Sequence, residues 1–355
     1  MPGKTTRSSN LELLRILCML LIIGDHLTGQ GGIADYTTLP SSFAFCLIGC
    51  GSRIACSVFI LIGGWFLCEQ PYKTRRPLSL WLSLWLYTVP VTLLCRLAGL
   101  DVSLGALRWA AFPASTRQLW FISDYLLLLL CVPLLNRVLR GLPRTAHRGL
   151  LAVLAVPMIL YPTLFGENGI VSDTAWMFLY EYLLIAYLRR YPDNRLTRLL
   201  QRRCAALLLG LGLPLVNTAV RAVLEMRGLT DGKAFQYIAY YRTALGALPN
   251  LLAALALFYL FKGLSLGSVR WINALSGTTL GVYILHQIPA FRGFLWNGIL
   301  QAQAHHGSVG YTLFAVAAVF LGCAAVDAAR TALVMRPLEK TKLFRTLCEK
   351  GDALA

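Results

Sequence analysis

Charge is scarce in this 355-residue chain: Asp, Glu, Lys and Arg together make up 14% of it, where soluble domains carry about a quarter. Together with 57% hydrophobic residues, that shortage excludes an ordinary soluble enzyme. Acid is the scarcer sign, with 16 Asp and Glu against 33 Lys and Arg. No P-loop, Rossmann glycine fingerprint or HExxH occurs, so no motif points to a nucleotide-hydrolysing, dinucleotide-binding or zinc-protease site. Ten cysteines are present but never as CxxC, and the series Cys46, Cys50, Cys56 has no nearby His. Small apolar packing is their expected role, and no metal site is expected. There is no Gly/Ser linker, no internal repeat, and no matched pair of broken helices of the kind inverted-repeat transporters carry.

What is there is a succession of apolar runs long enough to cross a bilayer. Ten spans are expected, at 11–28, 44–68, 78–99, 118–136, 149–166, 174–190, 203–220, 242–261, 270–290 and 310–334. The fold class is therefore an all-α polytopic membrane bundle. Residues 1–340 are expected to form one transmembrane domain and residues 341–355 a basic cytoplasmic tail. Basic segments fall on alternate loops: the N-terminus, PYKTRRP, NRVLRGLPRTAHR, RRYPDNRLTRLLQRR, FKGLSLGSVR and the tail RPLEKTKLFRTLCEK. By the positive-inside rule both termini are cytoplasmic. Topology and attraction to anionic lipid account for the net charge of +17, so nucleic acid is not expected as a partner. The first apolar run lacks a clear cleavage site and carries Arg15 and His26, so it reads as a retained helix rather than a signal peptide.

That first run, SNLELLRILCMLLIIGDHL, is the most informative segment. An ionisable residue inside a span is a functional candidate by default. Arg15 and His26 are eleven positions apart, which returns within about 20° to the same helix face and about 16 Å along the axis. The spacing suits a ligand with an anionic head and a long thin arm. Ser9 and Glu12 read as a capping box. Glu12 can also pair with Arg15, in which case Arg15 is a snorkelling residue at the cytoplasmic edge.

Counting depth along each span brings other polar groups to the height of His26, in the outer half: Arg53, Asp124, Glu181, Asn217 and His286. They must face the bundle interior or a watery cavity, and together they outline an acceptor pocket. Each has a plainer reading too, as an interfacial acid, an ion-pair partner or a hydrogen-bonded packing residue. On the inner side Lys73, Arg75 and Arg76 form a cluster suited either to phosphate or to topology alone.

At this point the residues resemble a known family. The first helix resembles the signature of the membrane acyltransferase 3 family, Arg or Lys, ten residues, then His. ACSVFILIGGWFL, LWFISDYLLLLLCVPLLN and LGVYILHQIP resemble three further blocks of that family in order. Gly63 stands where the family commonly has Ser, and Glu12 where it commonly has Asp. The resemblance implies transfer of an acyl group from cytoplasmic acyl-CoA, with acetyl-CoA expected, to a hydroxyl of a cell-envelope glycan or lipid-linked sugar. It places the chain in a bacterial plasma membrane, with membrane lipids and glycan-assembly proteins as candidate partners and no permanently bound cofactor. His26 would be the base, with Arg15 and the adjacent Asp25 as its helpers. Arg15, Lys73, Arg75 and Arg76 would hold the donor. Arg53, Trp120, Asp124, Glu181, Tyr283 and His286 would line the acceptor pocket, with Arg53 or Tyr283 at the oxyanion. A small-solute exporter and a non-catalytic membrane scaffold are the competing functional classes.

Overall fold

The computed structural model describes residues 8–166 and 174–354. Among these residues every element is helical. Each expected span overlaps a helix: α1 Ser9–Gln30, α2 Leu39–Leu67, α3 Arg75–Leu97, α4 Trp120–Gly141, α5 Arg144–Phe165, α6 Thr174–Arg190, α7 Arg203–Met226, α8 Leu248–Lys262, α9 Arg270–Gln287 and α10 Val309–Glu339. The span expected at 242–261 is a single helix only from Leu248 on, since a separate helix ends at Thr243. A last amphipathic helix, α11, covers Lys342–Leu354. Single π-type turns interrupt α5 at Val156–Leu160, α7 at Leu208–Gly212 and α10 at Thr331–Met335.

Six of these helices, α2, α3, α4, α5, α7 and α10, are long and apolar enough to cross a membrane. The other four are shorter or more polar, and their packing explains why. α1 lies against α2, α8, α9 and α10, and α6 is held between α2 and α4. Along α6 nearly every residue from Met177 to Leu188 is buried. A helix sheathed by other helices need not be apolar all round, because its polar groups meet protein rather than lipid. The outer helices carry the opposite pattern, with Leu94, Leu97, Leu134, Leu208, Val216, Leu313 and Leu333 exposed. Such a belt is what a lipid-facing surface requires.

Close helix contacts rest on small residues. At Gly281 a Cβ would lie 2.0 Å from Asp327 Oδ1, so α9 and α10 approach there only because no side chain intervenes. Asp327 is buried, accepts from Tyr87 Oη at 2.5 Å and from Arg330 Nη2 at 3.0 Å, and so ties α3 to α10. Asn136 performs the same task elsewhere: its amide donates to Leu67 O at 3.0 Å and accepts from Tyr182 Oη at 2.6 Å, joining α2, α4 and α6.

The expected capping box is not formed. Ser8, not Ser9, is the N-cap of α1. Ser9 Oγ accepts from Val269 N at 2.7 Å and donates to Asn273 Oδ1 at 3.0 Å. Glu12 turns to Arg15 and to Ser276 Oγ. The start of α1 is buried against the segment leading into α9, and tertiary partners outcompete the local motif.

Candidate active site

Two cavities meet on α1. One, of about 500 Å³, is lined by Arg15, Met19 and Ile22 of α1, Gly63 of α2, Arg76 of α3, Phe121 and Tyr125 of α4, and Ser276 and Tyr283 of α9. The other, of about 420 Å³, is lined by Ile22, Asp25, His26 and Gln30 of α1, Arg53 and Cys56 of α2, Trp120 of α4, Tyr283 and Gln287 of α9, and Arg292. Ile22 and Tyr283 belong to both walls. One helix thus presents Arg15 to the first space and His26 to the second.

In the first cavity Arg15 Nη1 is held by both carboxylate oxygens of Glu12, at 2.9 and 3.0 Å. Glu12 is buried and also accepts from Ser276 Oγ. This holds the guanidinium by one nitrogen on the cavity wall. Arg76 donates to Gln70, and its Nη1 is buried with no hydrogen-bond partner, a donor that a ligand can satisfy. Tyr125 Oη lies 2.8 Å from where a Cβ on Gly63 would stand. The missing side chain at 63 is what lets this phenol reach into the cavity.

In the second cavity His26 Nδ1 is 2.9 Å from Nε2 of the buried His286. His286 Nδ1 in turn lies 2.6 Å from Val282 O. A carbonyl can only accept, so His286 carries its proton on Nδ1 and, when neutral, offers Nε2 as an acceptor. His26 therefore donates from Nδ1, and its own Nε2 is left with a free lone pair. A hydrogen bond on one ring nitrogen fixing the role of the other is the usual way a histidine is prepared as a base. Arg53 sits with its guanidinium carbon 5.9 Å from the Trp120 ring centroid, a cation–π distance. Gln30 and Gln287 exchange amide hydrogen bonds at 3.1 Å, and Trp296 Nε1 donates to Gln30 Oε1 at 3.2 Å.

The structure brings together His26, Asp25, Arg53, Trp120, Tyr283 and His286, the last as a support behind the cavity wall. It brings Arg15 and Arg76 together at the other cavity. Asp124 is elsewhere: Arg117 Nη2 donates to it at 2.9 Å and Thr174 Oγ1 also bonds it. Arg117 takes a left-handed backbone, φ 49°, at that bridge. Glu181 is fully buried on α6, with both carboxylate oxygens lacking a hydrogen-bond partner. Neither acid lines the His26 cavity. Lys73 and Arg75 line a separate cleft against α11. Sequence reasoning missed Arg292, Gln30 and Gln287. Arg292 lies beyond the last motif segment, and an i,i+4 reading from His26 to Gln30 would have found one of the pair.

A GxSxG string does occur, GLSLG at 263–267. It follows helix α8 and runs through a loop to α9, so it lacks the strand–turn–helix context that makes that string a nucleophile elbow. The amide of Leu266 and the carbonyl of Leu264 bond the side chain of Asn10 instead. Among the described residues no group of His, Cys, Asp and Glu is arranged to hold a metal ion, and all ten cysteines are free thiols.

No curated protein and no solved structure matches the chain. A family model does, the acyltransferase domain of the acyltransferase 3 family, over residues 8–328. That match takes in all four motif segments and both cavities, so this helical membrane protein belongs to the acyltransferase 3 family.

Proposed function

We propose that this acyltransferase is a ten-span O-acyltransferase of a bacterial plasma membrane, with both termini cytoplasmic. It takes an acyl group, acetyl in the simplest case, from cytoplasmic acyl-CoA and delivers it to a hydroxyl of a cell-envelope glycan or lipid-linked sugar. The observation that carries this reading is the pair of cavities sharing Ile22 and Tyr283. Arg15 and Arg76 offer cations to an anionic head in one. The His26 base waits in the other. A pantetheine arm is long enough to cover the rise of about 16 Å between the two levels of α1.

The chemistry follows from the ring geometry. The acceptor hydroxyl approaches His26 Nε2, which takes its proton as the oxygen attacks the thioester carbon. The positive charge of Arg53, and of Arg292 on the same cavity, opposes the negative charge that develops on the thioester oxygen. Collapse expels the thiolate, which recovers the proton from His26. The products are an O-acyl ester and free thiol, and the histidine returns to its starting state. His286 holds the ring by its Nδ1 proton throughout and takes no part in bond making. Asp25, adjacent to His26 on α1, lines the same cavity.

The test is equilibrium binding of acetyl-CoA to protein in nanodiscs, alongside acyl transfer to an envelope-glycan extract. Arg15→Ala combined with Arg76→Ala should weaken donor binding by at least about tenfold. His26→Ala should leave donor binding intact and abolish transfer. Binding that is indifferent to both arginines would remove the donor assignment. The exporter reading has no observation of its own in its favour, and flux of a polar solute without thiol release would be needed to revive it.

A further inference from the structure

The family match ends at residue 328, yet the chain continues into an ordered structure that packs beside the donor cavity. Arg75 Nη2 donates to Glu339 Oε2 at 2.6 Å, and Ser79 Oγ donates to Glu339 Oε1 at 2.8 Å. The amide of Thr74 donates to Asp352 Oδ1 at 2.6 Å. Gly351 lies so close to Thr74 that a Cβ there would sit 2.5 Å from its side chain. Helix α11 is thus docked on the loop and first residue of α3, next to Arg76, which lines the Arg15 cavity.

Between loop and helix lies a cleft of about 590 Å³ with Lys73, Arg75, Arg336, Lys340 and Arg345 on its walls. Its acids are fewer, and two of the three are already engaged: Glu339 by Arg75 and Ser79, Asp352 by the Thr74 amide. Among the described residues Lys73, Arg336, Lys340 and Arg345 form no ion pair. Four uncommitted cations, from the loop before α3, the end of α10, the link after it and α11, converge on a site for a multiply charged anion. α11 would have no need of such a cluster merely to dock, since its docking bonds use Asp352, and the adjoining ones Glu339.

We infer that this cleft binds a phosphate-bearing group, and that residues 336–352 extend the donor site beyond the part common to the family. This rests on the donor reading above. The phosphate has two sources at that location: the nucleotide end of coenzyme A, or the headgroup of an anionic phospholipid.

The experiment uses the full-length protein in detergent, titrated separately with coenzyme A and with short-chain phosphatidylglycerol. Two variants are compared with the native chain. Lys340→Ala with Arg345→Ala removes two cations and keeps the docking bonds. Gly351→Leu keeps every charge and dislodges α11. If the nucleotide is the occupant, both variants weaken coenzyme A binding at least about tenfold and leave the lipid titration unchanged. If the lipid is, the pattern is reversed. Unchanged affinity for both ligands in both variants overturns the inference. If the native chain binds no coenzyme A, the donor reading falls, and the lipid titration still decides whether the cleft takes phosphate.

Discussion

His26 and His286 stand 260 residues apart in the chain and 2.9 Å apart in the fold, Nδ1 to Nε2. With Val282 O behind it, His286 determines which nitrogen of His26 is free. Replacing it by Phe removes the acceptor while keeping an aromatic ring. We expect transfer to fall by about 10–100-fold in kcat with little change in KM for the donor, since ring orientation, not binding, is lost. His286→Gln, whose amide oxygen can accept from His26, should recover part of the rate. Equal loss in both variants, with KM rising, would assign His286 to packing instead.

Gly281→Ala sets a methyl group where Asp327 Oδ1 lies 2.0 Å away. Either the Tyr87–Asp327–Arg330 network or the α9–α10 contact must open. The expected cost is about 1–3 kcal/mol, read as a lowered thermal midpoint of the purified protein. A midpoint equal to the native one would show that Asp327 moves freely and does not lock these helices.

Glu12→Gln leaves Arg15 without its anionic partner and keeps a side chain able to bond Ser276. Breaking a partly buried pair of this kind costs about 1–3 kcal/mol. If Arg15 serves only as a snorkelling residue, donor binding should be unaffected. On the present account the guanidinium loses its fixed position and the Kd for acetyl-CoA rises several-fold, as an equilibrium titration would show.

Docking of α11 should persist across the neutral range. The Thr74 amide holds the Asp352 carboxyl below its ordinary value of 3.8. A depressed carboxyl contributes its stabilisation above that ordinary value and loses it as pH falls through the lower, docked value. Proteolysis or hydrogen exchange of residues 342–354 should therefore be constant between pH 5 and 8 and rise only below about pH 4. Release on going from pH 8 to 6 would show that some other group governs the contact.

The helical bundle was legible in the sequence because apolar periodicity over ten runs leaves few alternatives. Arg15 and His26 were legible too, since charge inside a span is costly and their spacing fixes a common face. Depth counting brought His26 and His286 to one level but could not give the direction of their rings, which depends on a backbone carbonyl. It assigned Asp124 and Glu181 a height without an azimuth, and neither side chain is on the wall of the His26 cavity. Of the helices that fall short of the length or apolarity needed to cross a membrane, α1 and α9 line both cavities, beside α2 and α4 and, in the first, α3, which do not fall short. The docking of α11 was invisible because it depends on Gly351 and Thr74, residues with no distinguishing pattern of their own.

The central claim is that His26 is the base for acyl transfer from a thioester. The direct measurement is free thiol release from acetyl-CoA by purified protein in nanodiscs with an envelope-glycan extract as acceptor, native chain and His26→Ala side by side. The account predicts acceptor-dependent release by the native chain and a loss of at least about 100-fold in the variant, with acetyl-CoA binding retained. Equal release by the two proteins would contradict it.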